Sequence, residues 1–175
     1  FQVHTHLDQR GLLAAGLCAM AGNMAWNAYE QLANARRIVQ TNAMADKLIH
    51  TASIAAAERG LTSAALGRRG PADAATREKI RKLRRQTDAA WNEALAIART
   101  LEDRMPGDSG FSWSLRHAIA SHDKLDRMRA RADIHLRKKG SIQADAWIAT
   151  SRHFIEDTAR LHEAALTSGN LPSEI

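Results

Sequence analysis

An all-α protein is predicted, an antiparallel up-down-up-down four-helix bundle with an N-terminally extended first helix. Three observations carry this. The residues that lose least on entering a helix (Ala, Leu, Arg, Glu, Lys) dominate, while aromatics are 5% of the chain, with 10 Gly and 3 Pro; that is thin for a sandwich or barrel built on tight turns. Helix-breaking clusters fall in only three places after Glu30. The segments between them repeat apolar residues in alternating steps of three and four, the signature of one buried helical face.

The 175 residues and 45% apolar content suit one core. The N-terminal stretch is the first to need assignment. From Gly11 to Tyr29 no residue is charged, between Arg10 and Glu30. At about 1.5 Å per residue this run reaches roughly 28 Å, close to a bilayer core. Asn23, Asn27 and several small residues lower its hydropathy, whereas Trp26, Tyr29 and Arg10 suit the two interfaces of a span. Residues 1–29 are therefore expected to be a flank and an apolar helix, membrane-derived or packed at an interface, with the bundle over 30–170. Phe1 to Gln9 show no signal-peptide pattern.

The first bundle segment carries Ile38, Thr41, Ala45, Leu48, Ala52, Ala55, Arg59, Thr62 and Leu66 on one face, and ends at Gly67 to Pro71. The second carries Ile80, Leu83, Thr87, Ala90, Ala94, Ile97 and Leu101, and ends at Met105 to Gly110. The third carries Leu115, Ala118, His122, Leu125, Arg129, Ala132 and Leu136, and ends at Lys138 to Ser141. The fourth is looser: Ala144, Trp147, Ile148, Ser151, Ile155, Thr158 and Leu161. Gly67 and Gly140 suit the residue after a helix, and Asp73 and Ser141 suit N-caps. Short connections make successive helices antiparallel.

Arg59 and Arg129 stand on these apolar faces, and a buried guanidinium must be paired. Asp126 and Asp133 lie within helical reach of Arg129 and Glu58 is beside Arg59, so internal pairing is one reading. The other is a ligand site: Ala55 and Thr62 leave room beside Arg59, and Gln86, Thr87, Trp147, Ser151 and Arg152 fall at comparable depth. Arg59, Thr62, Arg129, Trp147 and Arg152 form the expected ligand-binding set, for a small anion or a carboxylate, since guanidinium binds both through parallel hydrogen bonds. The net charge of +6 and pI near 10.1 favour anionic partners in general. The cations gather at the end of the bundle away from the termini, in Arg68, Arg69, Arg137, Lys138 and Lys139 and the start of the second helix.

The run Ala57-Glu58-Arg59-Gly60-Leu61-Thr62-Ser63-Ala64-Ala65-Leu66 resembles the ERG motif of extracytoplasmic helical-bundle sensor domains of bacterial receptors, the nitrate- and nitrite-sensing type and its relatives. Lys124 to Asp133 and Trp147 to Leu166 are similar to the later helices of such domains. The resemblance implies a periplasmic ligand-sensing domain of an inner-membrane receptor (a histidine kinase, chemoreceptor or diguanylate cyclase), acting as a homodimer between flanking membrane helices. It makes Arg59 a ligand contact, with Arg152 matching a second arginine of the last helix, and it places a second span beyond Ile175.

No cofactor, metal or catalytic role is expected. The phosphate-loop, dinucleotide, zincin and nucleophile-elbow motifs are missing from the sequence, as is the ExxH of di-iron bundles. One cysteine, Cys18, makes no internal disulfide. Nucleic-acid binding is the rival reading, carried by the basic start of the second helix. The lack of interleaved aromatics and of a docking motif weighs against it.

Overall fold

The computed structural model describes residues 3–68, 70–105, 107–138 and 144–169. They form four helices: α1 (Val3–Leu66), α2 (Ala74–Arg104), α3 (Ser109–Arg137) and α4 (Ala144–Gly169). The chain divides into two compact units, Phe1–Val39 and Gln40–Ile175, with the division inside α1.

In the second unit the cross-helix bonds give each pair its direction. Gln40, Lys47 and Glu58 of α1 meet Arg104, Glu93 and Arg84 of α2. Arg84 and Asp88 of α2 meet Asp133 and Arg129 of α3. Asp108, just before α3, and Ser121 within it meet Ser168 and Asp157 of α4. In every set the first partner rises in number as the second falls, so the helices run up, down, up and down. Trp147 closes the ring by donating its indole N–H to the Arg59 carbonyl at 3.2 Å.

The helix starts follow the expected chemistry. The Asp73 carboxylate accepts from the Thr76 amide at 2.7 Å, and Asp108 accepts from the Phe111 amide at 2.9 Å. Gly67 follows α1, but its N–H bonds the Ser63 carbonyl, which continues the helical pattern. Left-handed backbone occurs instead at Gly107, with φ of 109°. Gly140 and Ser141 lie outside the described residues.

The core is built from small residues around a few large ones. Ala55, Ala94, Ala98, Ala118 and Ala132 let the helices approach, while Trp91, Phe111, Trp147 and Phe154 fill the space between. Trp91, His122 and Phe154 form one ring cluster, with centroids 5.3 to 5.6 Å apart. Three expected seams are corrected. In α2 Arg84 and Ala98 are buried in place of Leu83 and Ile97, which are half-buried. In α4 the inner position belongs to Phe154, and Ile155 is half-buried. In α1 the inner line is Thr51, Ala55, Glu58, Thr62 and Ala65; Arg59 and Leu66 are half-buried and Ile38 is exposed. Both lines step by three and four, so spacing alone could not choose between them.

The described residues of the first unit are all helical. Every side chain from Leu13 to Tyr29 is exposed, including Leu13, Leu17, Met20 and Met24. Trp26 bonds Glu30 at 3.0 Å one turn on. Among the described residues no helix is long and apolar enough to cross a membrane. Gly11–Tyr29 does not meet the requirement expected of it as a span, because the two asparagines and the glycines dilute its few large aliphatics.

Candidate functional site

A buried ion-pair network occupies the bundle interior, and its hub is Glu58, which the sequence offered only as a neighbour that could pair Arg59. Glu58 is 1% exposed. Its position on the 51-55-58-62-65 line turns it inward, one residue away from the expected Arg59. Arg129 grips it in a fork: Nε donates to Oε1 at 2.9 Å and Nη2 to Oε2 at 2.5 Å. Arg84 donates its Nε to the same Oε1 at 3.2 Å. One carboxylate of α1 is thus held by α2 and α3 together.

The second coordination of each guanidinium is outward. Arg129 Nη1 donates to Asp88 at 2.6 Å and to Asp126 at 2.8 Å, and Arg84 Nη1 donates to Asp133 at 2.7 Å. Four carboxylates therefore face two guanidiniums. Burial works against the Arg129 charge, but Glu58 and then Asp88 outweigh it and raise the pKa above the ordinary arginine value. Burial likewise pushes the Asp88 carboxyl up. His122 and Arg129, facing it, outweigh that and hold it below the usual carboxylate range.

His122 sits at the edge of this network, stacked on Trp91 with the ring planes 12° apart. Its Nε2 lies 3.6 Å from Asp88 and its Nδ1 3.6 Å from Asp126, too far for hydrogen bonds. Asp88, His122 and Asp126 bring one ligand atom each within 4.8 Å of the others, the right composition for a metal ion. Arg129 already donates to both carboxylates, however, and a cation would have to displace it. Thr62 Oγ1 and Arg84 Nη2 are buried without a protein partner among the described residues.

The five residues expected to bind a ligand divide into separate groups. Arg129 is 5% exposed, as its place on the α3 seam predicts, but its fork is filled by Glu58. Trp147 and Thr62 are buried, with Trp147 against the Arg59 backbone. Arg59 is half-buried and Arg152 exposed; among the described residues neither has a carboxylate partner. The basic end is partly neutralised, by Arg68 with Asp73 and by Arg81 and Arg85 with Glu78. A cleft of about 420 Å³ lies at the opposite end, between Phe111, Trp113 and Ser114 of α3 and Arg160, Ala164 and Thr167 of α4, and includes none of the five. Arg84 was also missed: its signal was its place four residues after Ile80 on the α2 seam.

Comparison with protein-family models, with curated proteins and with solved structures gives no match to this chain.

Two outcomes follow from the network. Glu58→Leu leaves two buried guanidiniums short of a partner and is expected to cost about 3–5 kcal/mol in urea unfolding. Adding Arg129→Met to it removes one of the two stranded charges, the one that Glu58 held in a fork, so the double variant is expected to be more stable than Glu58→Leu alone. The second concerns pH. A carboxyl with a depressed folded pKa stabilises the fold above its unfolded pKa, and that stability is lost as pH falls through the folded value. Unfolding free energy is therefore expected to decline below about pH 4, and Asp88→Asn is expected to flatten that decline.

Proposed function

We propose that this chain is a ligand-sensing bundle of a bacterial membrane receptor, working in the periplasm and passing a small helix shift along α1. The observation that carries the reading is the division of labour within α1. Glu58 is locked to α2 and α3, while among the described residues the neighbouring Arg59 has no carboxylate partner. A small anion or carboxylate meeting Arg59 would engage α1 beside Trp147 of α4. Differential affinity for two positions of α4 against α1 is the physical means by which such a ligand biases a signal. The resemblance of Ala57–Leu66 to the ERG motif supports the same residue.

The first unit fits a second copy. An isolated helix of this composition gains no packing to offset its ordering cost, and Leu13, Leu17, Met20 and Met24 repeat by four, three and four along one exposed face. In this reading the apolar line pairs with its counterpart in a parallel homodimer.

Light scattering across micromolar concentrations is expected to return the mass of a dimer, and Leu17→Glu with Met24→Glu to return a monomer whose bundle melts unchanged. A wild-type monomer throughout would sink the dimer. For the ligand site, calorimetric titration with nitrate and with acetate is expected to show binding that Arg59→Ala weakens at least tenfold with the melting temperature retained. Unchanged affinity in Arg59→Ala would overturn the site.

A further inference from the structure

The network of buried ions accounts for the inner face of α3. Its outer face holds a different pattern. Trp113, His117, Ala120, Lys124, Arg127, Arg131, Ile134 and Lys138 step by four and three along α3 and just past its end, and each is exposed. Lys124, Arg127, Arg131 and Lys138 form no ion pair among the described residues, in contrast to Arg81 and Arg85 of α2, which share Glu78. Asp123 borders the line, is exposed, and bonds none of these cations. Lys124, Arg127 and Arg131 frame a cleft of about 250 Å³ with the half-buried Met128. Two large apolar side chains stand in the same line: Trp113, 47% exposed and in ring contact with His117 at 3.9 Å, and Ile134, 61% exposed.

We infer that this outer face of α3 docks on an anionic phospholipid surface. Unpaired cations in a straight line attract a layer of negative headgroups, each cation adding a similar increment. From Lys124 to Lys138 the line runs about 21 Å at 1.5 Å per residue, long enough to lie along several headgroups. The long stems of Lys and Arg can lie along the apolar boundary with their charged ends among the phosphates, and Trp113 is of the type that settles at that depth. An exposed tryptophan before the cationic stretch and an exposed isoleucine within it are a liability in water but match a surface that turns from charged to apolar within a few ångströms. A nucleic-acid strand is matched less well, because no aromatic residue interleaves with the cations to stack a base.

The inference does not depend on the anion site at Arg59. It is tested by partition of the full chain onto vesicles of phosphatidylcholine alone and of phosphatidylcholine with phosphatidylglycerol, in 0.1 M salt. The ratio of the two partition coefficients isolates the charge-dependent part from whatever the apolar first unit contributes. Lys124→Glu, Arg127→Glu and Arg131→Glu together are expected to lower that ratio on the order of 100-fold. Lys79→Glu, Lys82→Glu and Arg99→Glu, exposed positions of α2 with no ion pair among the described residues, remove the same net charge and are expected to lower it less than fivefold, since exposed charges beyond about 10 Å are screened. Circular dichroism melts establish that both triple variants keep the fold. Equal losses in the two variants would make the effect one of bulk charge and overturn the proposal, as would a wild-type ratio near one. A twenty-residue oligothymidylate that binds in the same salt more tightly than the vesicles, and loses affinity with the α3 variant, would assign the face to nucleic acid instead.

Discussion

The bundle depends on one carboxylate. Glu58 is the point at which α1, α2 and α3 are tied together, and a charge at 1% exposure is tolerated only because two guanidiniums reach it. Desolvating such a group costs several kcal/mol before any attraction is counted. The fork from Arg129 and the single bond from Arg84 offset that cost, and Asp88, Asp126 and Asp133 complete the donors the guanidiniums turn outward. Ionic contacts of this kind are directional where apolar contacts are not. A slip of α1 by one turn would leave its apolar packing passable but strand three charges, so the network is suited to setting the register of the helices.

The packing around the network follows from the same constraint. A guanidinium fork needs close helices, and the alanines at 55, 90, 94, 118 and 132 provide them. The volume they leave is taken up by Trp91, Phe154 and Trp147, which join α2 to α4 and α4 to α1. His122 stands where the aromatic layer meets the charged one, with a ring on its face and a carboxylate opposite each nitrogen. The core is therefore two materials in contact, and the polar part is placed where the residues are smallest.

The two units of the chain obey different physics. In the second, polar groups are buried and paired. In the first, large apolar side chains are exposed along a single helix. Placing both in one α1 separates the part of the molecule that supplies its own stability from the part that calls for a covering surface. The outer face of α3 adds a third kind of surface, cationic and without ion pairs among the described residues, on the reverse side of the helix that supplies Arg129.

The number of helices, their approximate ends and their directions were legible in the sequence, because they rest on local chemistry: breakers at three places, carboxylate caps such as Asp73, and the spacing of apolar residues. The place of Arg129 on the buried face of α3 was legible for the same reason, as was Asp126 as one of its partners. The hub was not. Lines through Arg59 and through Glu58 both step by three and four, and only the packing of α1 against α2 and α3 decides which of two adjacent residues turns inward. Arg84 and Asp88 escaped notice because their partners lie on other helices, and the choice of Phe154 over Ile155 depended on a ring cluster drawn from α2, α3 and α4. Periodicity determines that a helix has an inner face; which charge on that face meets which counter-charge is a property of three helices at once, and only the tertiary structure decided it.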